Sequence, residues 1–494
     1  MTLSSTGQSD GPSKTVVVDH VLRYPPSGLR VLIVGAGPGG LLAALECWRK
    51  GHDVEIIEKA SHLTSIGDIV ALGPSAWSTL HHYPNMLEQY SQIGIDAQII
   101  PCHMDGTQAI DPLEFEFNRE GVAQHAAYPV RVSCIMGRAD LAHLFYQQCQ
   151  RLGIPIIWNT SIVDYDENAE GGYGVAVSEN GMRYTADIVV AADGIGSKSH
   201  KLTLGKPVRA VSTGYTIYRA AMPTSELRDA VLLRQLLQEN GRPQTRIYMG
   251  HNQHIIFVVS PRLISLAITL PGEPRGSAVE SWASTVSRDE LLCQIPDSGA
   301  IDPRIIEAIR NFPENGIVAW KLSMRNPQPK WTSADGYVVQ LGDSAHSFIP
   351  TSTNGATIAL EDGASLAECL RLGGRRGRSI ATKAHQLLRQ DRTSLVQRMG
   401  LRNRVAFHQD SSDNIKNIAK AAHQGKWLWA HNPEQYALER FDEALAHLKH
   451  GKHFENTNLP PGHKPEMWNL QGEIEKEQQG LMTELTTNGD WGLQ

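Results

Sequence analysis

Three glycines set the first chemical possibility. Gly35, Gly37 and Gly40 carry the G-x-G-x-x-G spacing directly after the apolar run Val31 to Val34. Gly35 suits a tight turn, Gly37 lets a pyrophosphate approach the backbone, and Gly40 lets a following helix lie close to the strand. Residues 41–50 read as that helix, whose N-terminus offers N–H groups and partial positive charge to phosphates. Asp53 to Ile57 reads as a second strand. Glu58 at its end, with Lys59 beside it, stands where a carboxylate accepts hydrogen bonds from an adenosine ribose. The spacing alone also fits a glycine-rich turn in an ordinary α/β unit. Strand, turn, helix, strand and acid in that order, within about thirty residues, form a dinucleotide-binding fingerprint.

Further residues stand at comparable places. Arg138 opens a helix expected over 139–152, from which a side chain can reach over the first helix and its phosphates. The apolar strand 186–191 runs into Asp193-Gly194, and the strand 336–341 runs into Gly342-Asp343. Ligands of open α/β sheets lie beyond the carboxyl ends of strands, where both turns fall, although Asp-Gly is also a common turn. Pro350 and the Asn354-Gly355-Ala356 segment lead into a helix expected to reach Leu372, a second helix N-terminus suited to an anion. In Tyr215-Thr216-Ile217-Tyr218-Arg219, strand alternation puts Tyr215, Ile217 and Arg219 on one face: a hydroxyl, an apolar surface and a cation suited to an aromatic anion. Arg219 could equally be a surface residue of an edge strand.

These residues need positioning elements. Residues 30–204 and 321–400 read as one α/β domain with a Rossmann-like parallel sheet. Between them, residues 205–320 show successive strands (212–222, 245–249, 254–259, 264–270) with little helix, so an antiparallel sheet inserted into the first domain is expected. The basic run 373–378 reads as a solvated turn. Residues 401–494 read as a polar helical region and tail, and residues 1–29, rich in Ser, Gly, Thr and Pro, as a flexible arm.

Composition narrows the function. The 494 residues are 41% hydrophobic and 20% charged, ordinary for a globular protein. A net charge of −6 leaves no basic footprint for nucleic acid. Six scattered cysteines without a C-x-x-C pair fit reduced thiols in a cytoplasmic protein, and no metal site is expected. No apolar run approaches a membrane span.

Taken in order, Gly35-x-Gly37-x-x-Gly40, Arg138, Asp193-Gly194 and Gly342-Asp343 with Pro350 and Gly355, together with Trp320-Lys321-Leu322 and Trp331, resemble the single-component FAD-dependent aromatic hydroxylases. Within these the chain is similar to the salicylate-hydroxylase-like branch, which includes fungal enzymes acting on phenolic or polyketide-derived compounds. The likeness covers roughly residues 30–400. It implies a glutathione-reductase-type FAD domain, with Gly35, Gly37 and Gly40 at the pyrophosphate and Glu58 at the ribose. It places Arg138 at the phosphate or ribityl region, Asp193 in an Asp-Gly motif serving FAD and indirectly NAD(P)H, and Asp343 at the ribityl chain. Pro350 and Asn354-Gly355-Ala356 would line the flavin ring, whose reduced form is stabilised by helix N–H groups. NADH or NADPH would reduce the flavin, and O₂ would add at C4a to hydroxylate an aromatic substrate held by Arg219 and Tyr215. One departure is visible: many relatives carry a Tyr in the next strand, where this chain has His254-Ile255-Ile256. Two rival readings are an epoxidase acting on a prenylated compound and a non-catalytic FAD-binding protein. The Trp427-Leu428-Trp429 triplet lacks the context of a halogenase motif.

Overall fold

A parallel sheet brings the predicted turns to one edge. The computed structural model describes residues 15–63, 69–119, 132–133, 135–239, 241–272, 284–295, 300–408, 424–481 and 484–492. Its central sheet has five parallel strands in the order Val338–Gln340, Ile188–Ala191, Arg30–Val34, Asp53–Ile57 and Ile156–Ile157. The strands are almost continuously apolar because both faces are covered. The three strands followed by Gly342-Asp343, Asp193-Gly194 and the glycine turn are immediate neighbours, so all three turns emerge side by side.

Helix Pro38–Arg49 packs on one face of this sheet and is buried along most of its length. On its other side runs the long helix Gly355–Phe407, which approaches so closely that a Cβ at Gly363 would lie 3.0 Å from the Ala43 backbone. Burial of Glu46, Arg49 and Lys50 between them is compensated by charge pairing. Arg49 bonds Glu46 and Glu434, and Lys50 bonds Glu368 and Glu434.

The long helix bends at Gly374, whose φ of +56° and ψ of −171° break the helical ladder. The basic run expected as a solvated turn therefore stands at a bend. Arg375 donates to the Gly28 carbonyl and Arg378 to the Gly172 carbonyl, so these cations tie the helix to two loops.

The second sheet has seven strands: Thr285–Val286, Ile317–Met324, Val211–Pro223, Leu263–Pro271, Gln253–Val259, Gln244–Gly250 and Gln98–His103. All pairs are antiparallel except the last, where Gln98–His103 joins in parallel from far upstream. The sheet therefore crosses both boundaries drawn from the sequence, since Gln98–His103 lies outside 205–320 and Ile317–Met324 straddles residue 320. Alternation decides its two faces. Ile255, Phe257, Leu266 and Ile268 pack with Leu233, Ile305 and Ile309 of the covering helices, which leaves His254, Ile256 and Ala267 on the face toward the central sheet.

The described part of the N-terminal segment is not a loose arm. Val16–Val18 and Val21–Arg23 form a hairpin, and Arg23 donates to the Trp48 and His52 carbonyls with its guanidinium over the Trp48 ring. Residues 1–14 lie outside the described residues.

Candidate active site

One cavity of about 480 Å³ lies between the two sheets and the start of the long helix. Gly37, Gly39 and Gly40 form one end. Gly35 makes the turn at φ +110°, where a Cβ would fall 2.4 Å from the Ala192 carbonyl oxygen. At Gly40 a Cβ would sit 2.0 Å from the Gly35 oxygen, so helix and turn can touch only without a side chain. At Gly37, by contrast, a Cβ would meet no protein atom within 4 Å. That open side faces the cavity, and no side chain caps the helix N-terminus there. This is a cradle suited to a pyrophosphate.

Glu58 does not line the cavity. Its carboxylate accepts from the Ala36 N–H at 2.7 Å and from the Ala60 N–H at 2.9 Å, holding the glycine turn against the second strand. Each oxygen retains a lone pair for a ribose hydroxyl. Lys59 is exposed and stands outside the cavity lining.

Arg138, Gly194 and Asp343 line the middle of the cavity. Asp193 stands behind Gly194, with the Tyr165 hydroxyl donating to its Oδ2 at 2.8 Å. Burial raises its pKa, more than its hydrogen bonds lower it. Asp343 opens to the cavity but is enclosed by protein on its other sides. That enclosure raises its pKa, opposed by the neighbouring His346, Arg325 and Arg138. A carboxylate facing such a cavity can accept hydrogen bonds from the hydroxyls of a ligand.

The turn that carries Asp343 is held from behind. Asp362, fully buried on the long helix, accepts from the Gly342 N–H at 3.2 Å, lies 2.5 Å from His346 Nε2 and accepts from Arg389 Nε at 2.8 Å. Burial alone would raise its pKa, but His346 and Arg389 outweigh it and hold it at about 2. Nothing in the local spacing marked Asp362 as part of the site.

At the far end, Pro350, Asn354, Gly355 and Ala356 line the cavity where the long helix begins, and no side chain caps this N-terminus either. Two uncapped helix ends thus face one cavity, the arrangement expected for a ligand with negative charge at both ends.

The second sheet supplies the roof. Arg219 lines the cavity, with Nη2 donating to the Ile69 carbonyl at 3.4 Å, and Ile217 stands beside it. Tyr215 shares their face but not the cavity. Its ring packs on His408 at 4.7 Å between centroids and under the Arg404 guanidinium at 4.9 Å. The paired role expected for Tyr215 and Arg219 is therefore divided by the cavity's edge. Phe115, Phe117, Trp320, Phe348 and Trp429 add an aromatic wall, in which Phe115 and Phe117 stack at 5.3 Å. Most of these come from segments without strong periodicity, so only their convergence reveals them. Among the described residues no group of His, Cys, Asp and Glu could hold a metal ion.

Residues 28–261 match the model of the FAD binding domain family. The FAD-dependent monooxygenase fsr3 of Gibberella fujikuroi is 37% identical over 96% of this chain and 91% of its own length. The chain belongs to the FAD-dependent monooxygenases. The chain is accordingly an enzyme whose cofactor is FAD. Among solved structures, CtdE in complex with FAD and substrate 4 is 25% identical, with a TM-score of 0.76 over 85% of this chain and 99% of that one. A salicylate hydroxylase substrate complex shares the fold at 22% identity and a TM-score of 0.64, covering 83% and 97%. No helix among the described residues is long and apolar enough to cross a membrane.

Proposed function

We propose that this monooxygenase hydroxylates a phenolic aromatic small molecule, using NADH or NADPH and O₂. The observation that carries the reading is the single cavity joining the glycine cradle, Asp343 and the second helix N-terminus to Arg219 beneath an aromatic wall. When bound, FAD supplies the redox chemistry, accepting a hydride and activating oxygen.

The chain's own residues do the rest. Gly37 and the helix behind it would take the pyrophosphate, Glu58 the ribose and Asp343 the ribityl hydroxyls. Asn354-Gly355-Ala356, at a helix N-terminus, would hold the flavin ring and would stabilise the negative charge it gains on reduction. Arg219 holds an anionic oxygen of the substrate and favours the phenolate, the form whose ring is most reactive toward an electrophilic oxygen. Ile217, Ile256, Ala267 and the aromatic wall exclude water and orient the ring.

The test is NADH and NADPH oxidation by the FAD-loaded enzyme with phenols, salicylates and prenylated indoles. Oxidation stimulated by a phenol, with an oxygenated product, is expected. A response confined to prenylated compounds would replace hydroxylation with epoxidation.

A further inference from the structure

Two buried histidines meet at the roof of the cavity, and neither belongs to the cofactor site. His254 Nδ1 lies 2.8 Å from His408 Nε2, and the two residues are 2% and 4% exposed. His254 lines the cavity, while His408 stands behind it, between His254 and Tyr215. With Nδ1 engaged by His408, Nε2 is the His254 nitrogen available to a ligand.

Sheet register places this nitrogen relative to Arg219. His254 pairs with Thr269, which pairs with Ile217; Ile256 pairs with Ala267, which pairs with Arg219. His254 and Arg219 therefore share one face, two strands apart and two residues apart along the strand. Those steps are roughly 10 Å and 7 Å by ordinary strand spacing. One flat ring system lying across Ile256 and Ala267 would meet both.

We propose that His254, backed by His408, takes the hydroxyl proton of the bound aromatic substrate and that the pair relays it out of the cavity; this rests on the hydroxylase reading above. The substrate O–H bond breaks as an N–H bond forms at His254 Nε2, and the electron pair stays on oxygen. The Nδ1–H bond of His254 breaks as one forms at His408 Nε2. The Nδ1–H bond of His408, buried and without a hydrogen-bond partner among the described residues, breaks as an N–H bond forms on the neighbouring His251 ring, which is exposed and passes the proton to water. Asn252 N–H donates to the His408 carbonyl at 3.1 Å, so that turn lies against the relay.

Each ring is neutral before and after, and the surroundings favour that. Burial first, then the Arg404 charge, push His254 down to about 3. Burial, His254, Arg404 and His251 together push His408 to about 2. Arg404, itself paired with Glu477, together with Tyr215 and His251 are the titratable groups facing the pair. A relay that moves a proton without storing charge suits a site where an imidazolium is so disfavoured.

The test uses the full-length FAD-loaded enzyme with 2-naphthol, whose ionised form absorbs at longer wavelength, and naphthalene, which lacks the hydroxyl. The wild type is expected to prefer 2-naphthol and to ionise it at lower pH than free solution does. His254→Phe should weaken 2-naphthol about tenfold, the scale of one buried hydrogen bond, and leave naphthalene within about twofold. His408→Gln should keep the preference for 2-naphthol but lose the lowered ionisation. FAD affinity, read by flavin fluorescence, reports folding; if His254→Phe fails it, His254→Asn is measured in its place. Equal loss of both ligands, unchanged ionisation in either variant, or a wild type that does not prefer 2-naphthol would overturn the relay. Flavin reduction by NADPH or NADH is followed in the same samples. If it proceeds while the naphthol test fails, only the histidine relay falls; if neither nucleotide reduces the flavin, the hydroxylase reading falls.

Discussion

Glu58 Oε2 accepts a hydrogen bond from the Ala36 N–H at 2.7 Å, joining the end of one strand to the turn leaving its neighbour. The residue expected at the ribose is thus also a brace for the glycine cradle. Glu58→Ala should weaken FAD about tenfold to a hundredfold, from one bond to a charged acceptor at roughly 1.5–3 kcal/mol. It should also lower the melting temperature of the FAD-free protein. Titration followed by flavin fluorescence, beside a thermal melt, separates the two effects. An unchanged apoprotein melt would remove the bracing role.

Gly37 and Gly40 should fail differently. A Cβ at Gly37 meets open space, so Gly37→Ala is expected to fold with stability within about 1 kcal/mol of wild type, yet bind FAD poorly. A Cβ at Gly40 collides with the Gly35 carbonyl, so Gly40→Ala should destabilise the apoprotein by roughly 1–3 kcal/mol. Denaturant melts of the two FAD-free variants check the contrast. Equal destabilisation would contradict the geometry.

Arg219 and Tyr215 occupy one strand face but different surroundings. Arg219→Ala is expected to keep FAD affinity and to lose substrate-stimulated nucleotide oxidation by about a hundredfold, the scale of a lost hydrogen bond to a charged group. Tyr215→Phe should stay within about twofold of wild type, because its ring packs on His408 outside the cavity lining. Steady-state oxidation rates with a phenol decide both. Normal turnover in Arg219→Ala would remove it from the substrate site.

Asp362 couples stability to acid. Its carboxyl titrates at about 2, below the ordinary 3.8, so its contribution is complete above the ordinary value and is lost as pH falls toward 2. Asp362→Asn should cost roughly 3–5 kcal/mol at neutral pH, because His346 and Arg389 lose a buried partner. It should also flatten the acid limb of stability and weaken FAD through the Gly342-Asp343 turn. Chemical denaturation at several pH values measures this. An acid limb identical to wild type would show that the pair does not carry it.

What could be read directly was local. The glycine spacing, the strand before it and the helix after it are covalently adjacent, so steric rules for Gly35, Gly37 and Gly40 determine one structure within about thirty residues. The same holds for Asp193-Gly194 and Gly342-Asp343, each at the end of an apolar strand, and for the alternation that puts Ile217 and Arg219 on one face. Pairing partners were not local. Strand order alone placed the Asp193, Asp343 and glycine turns side by side, and parallel pairing drew Gln98–His103 into a sheet begun more than a hundred residues later.

The histidine pair beside Ile217 and Arg219 was decided by tertiary structure alone. His254 and His408 are 154 positions apart and meet only because the long helix ends against the second sheet. Tyr215 was drawn away from the cavity by packing on that same helix end, which strand periodicity does not encode. Local sequence determines which backbone shapes are sterically allowed. The long-range burial of apolar faces determines which side chains those shapes bring together.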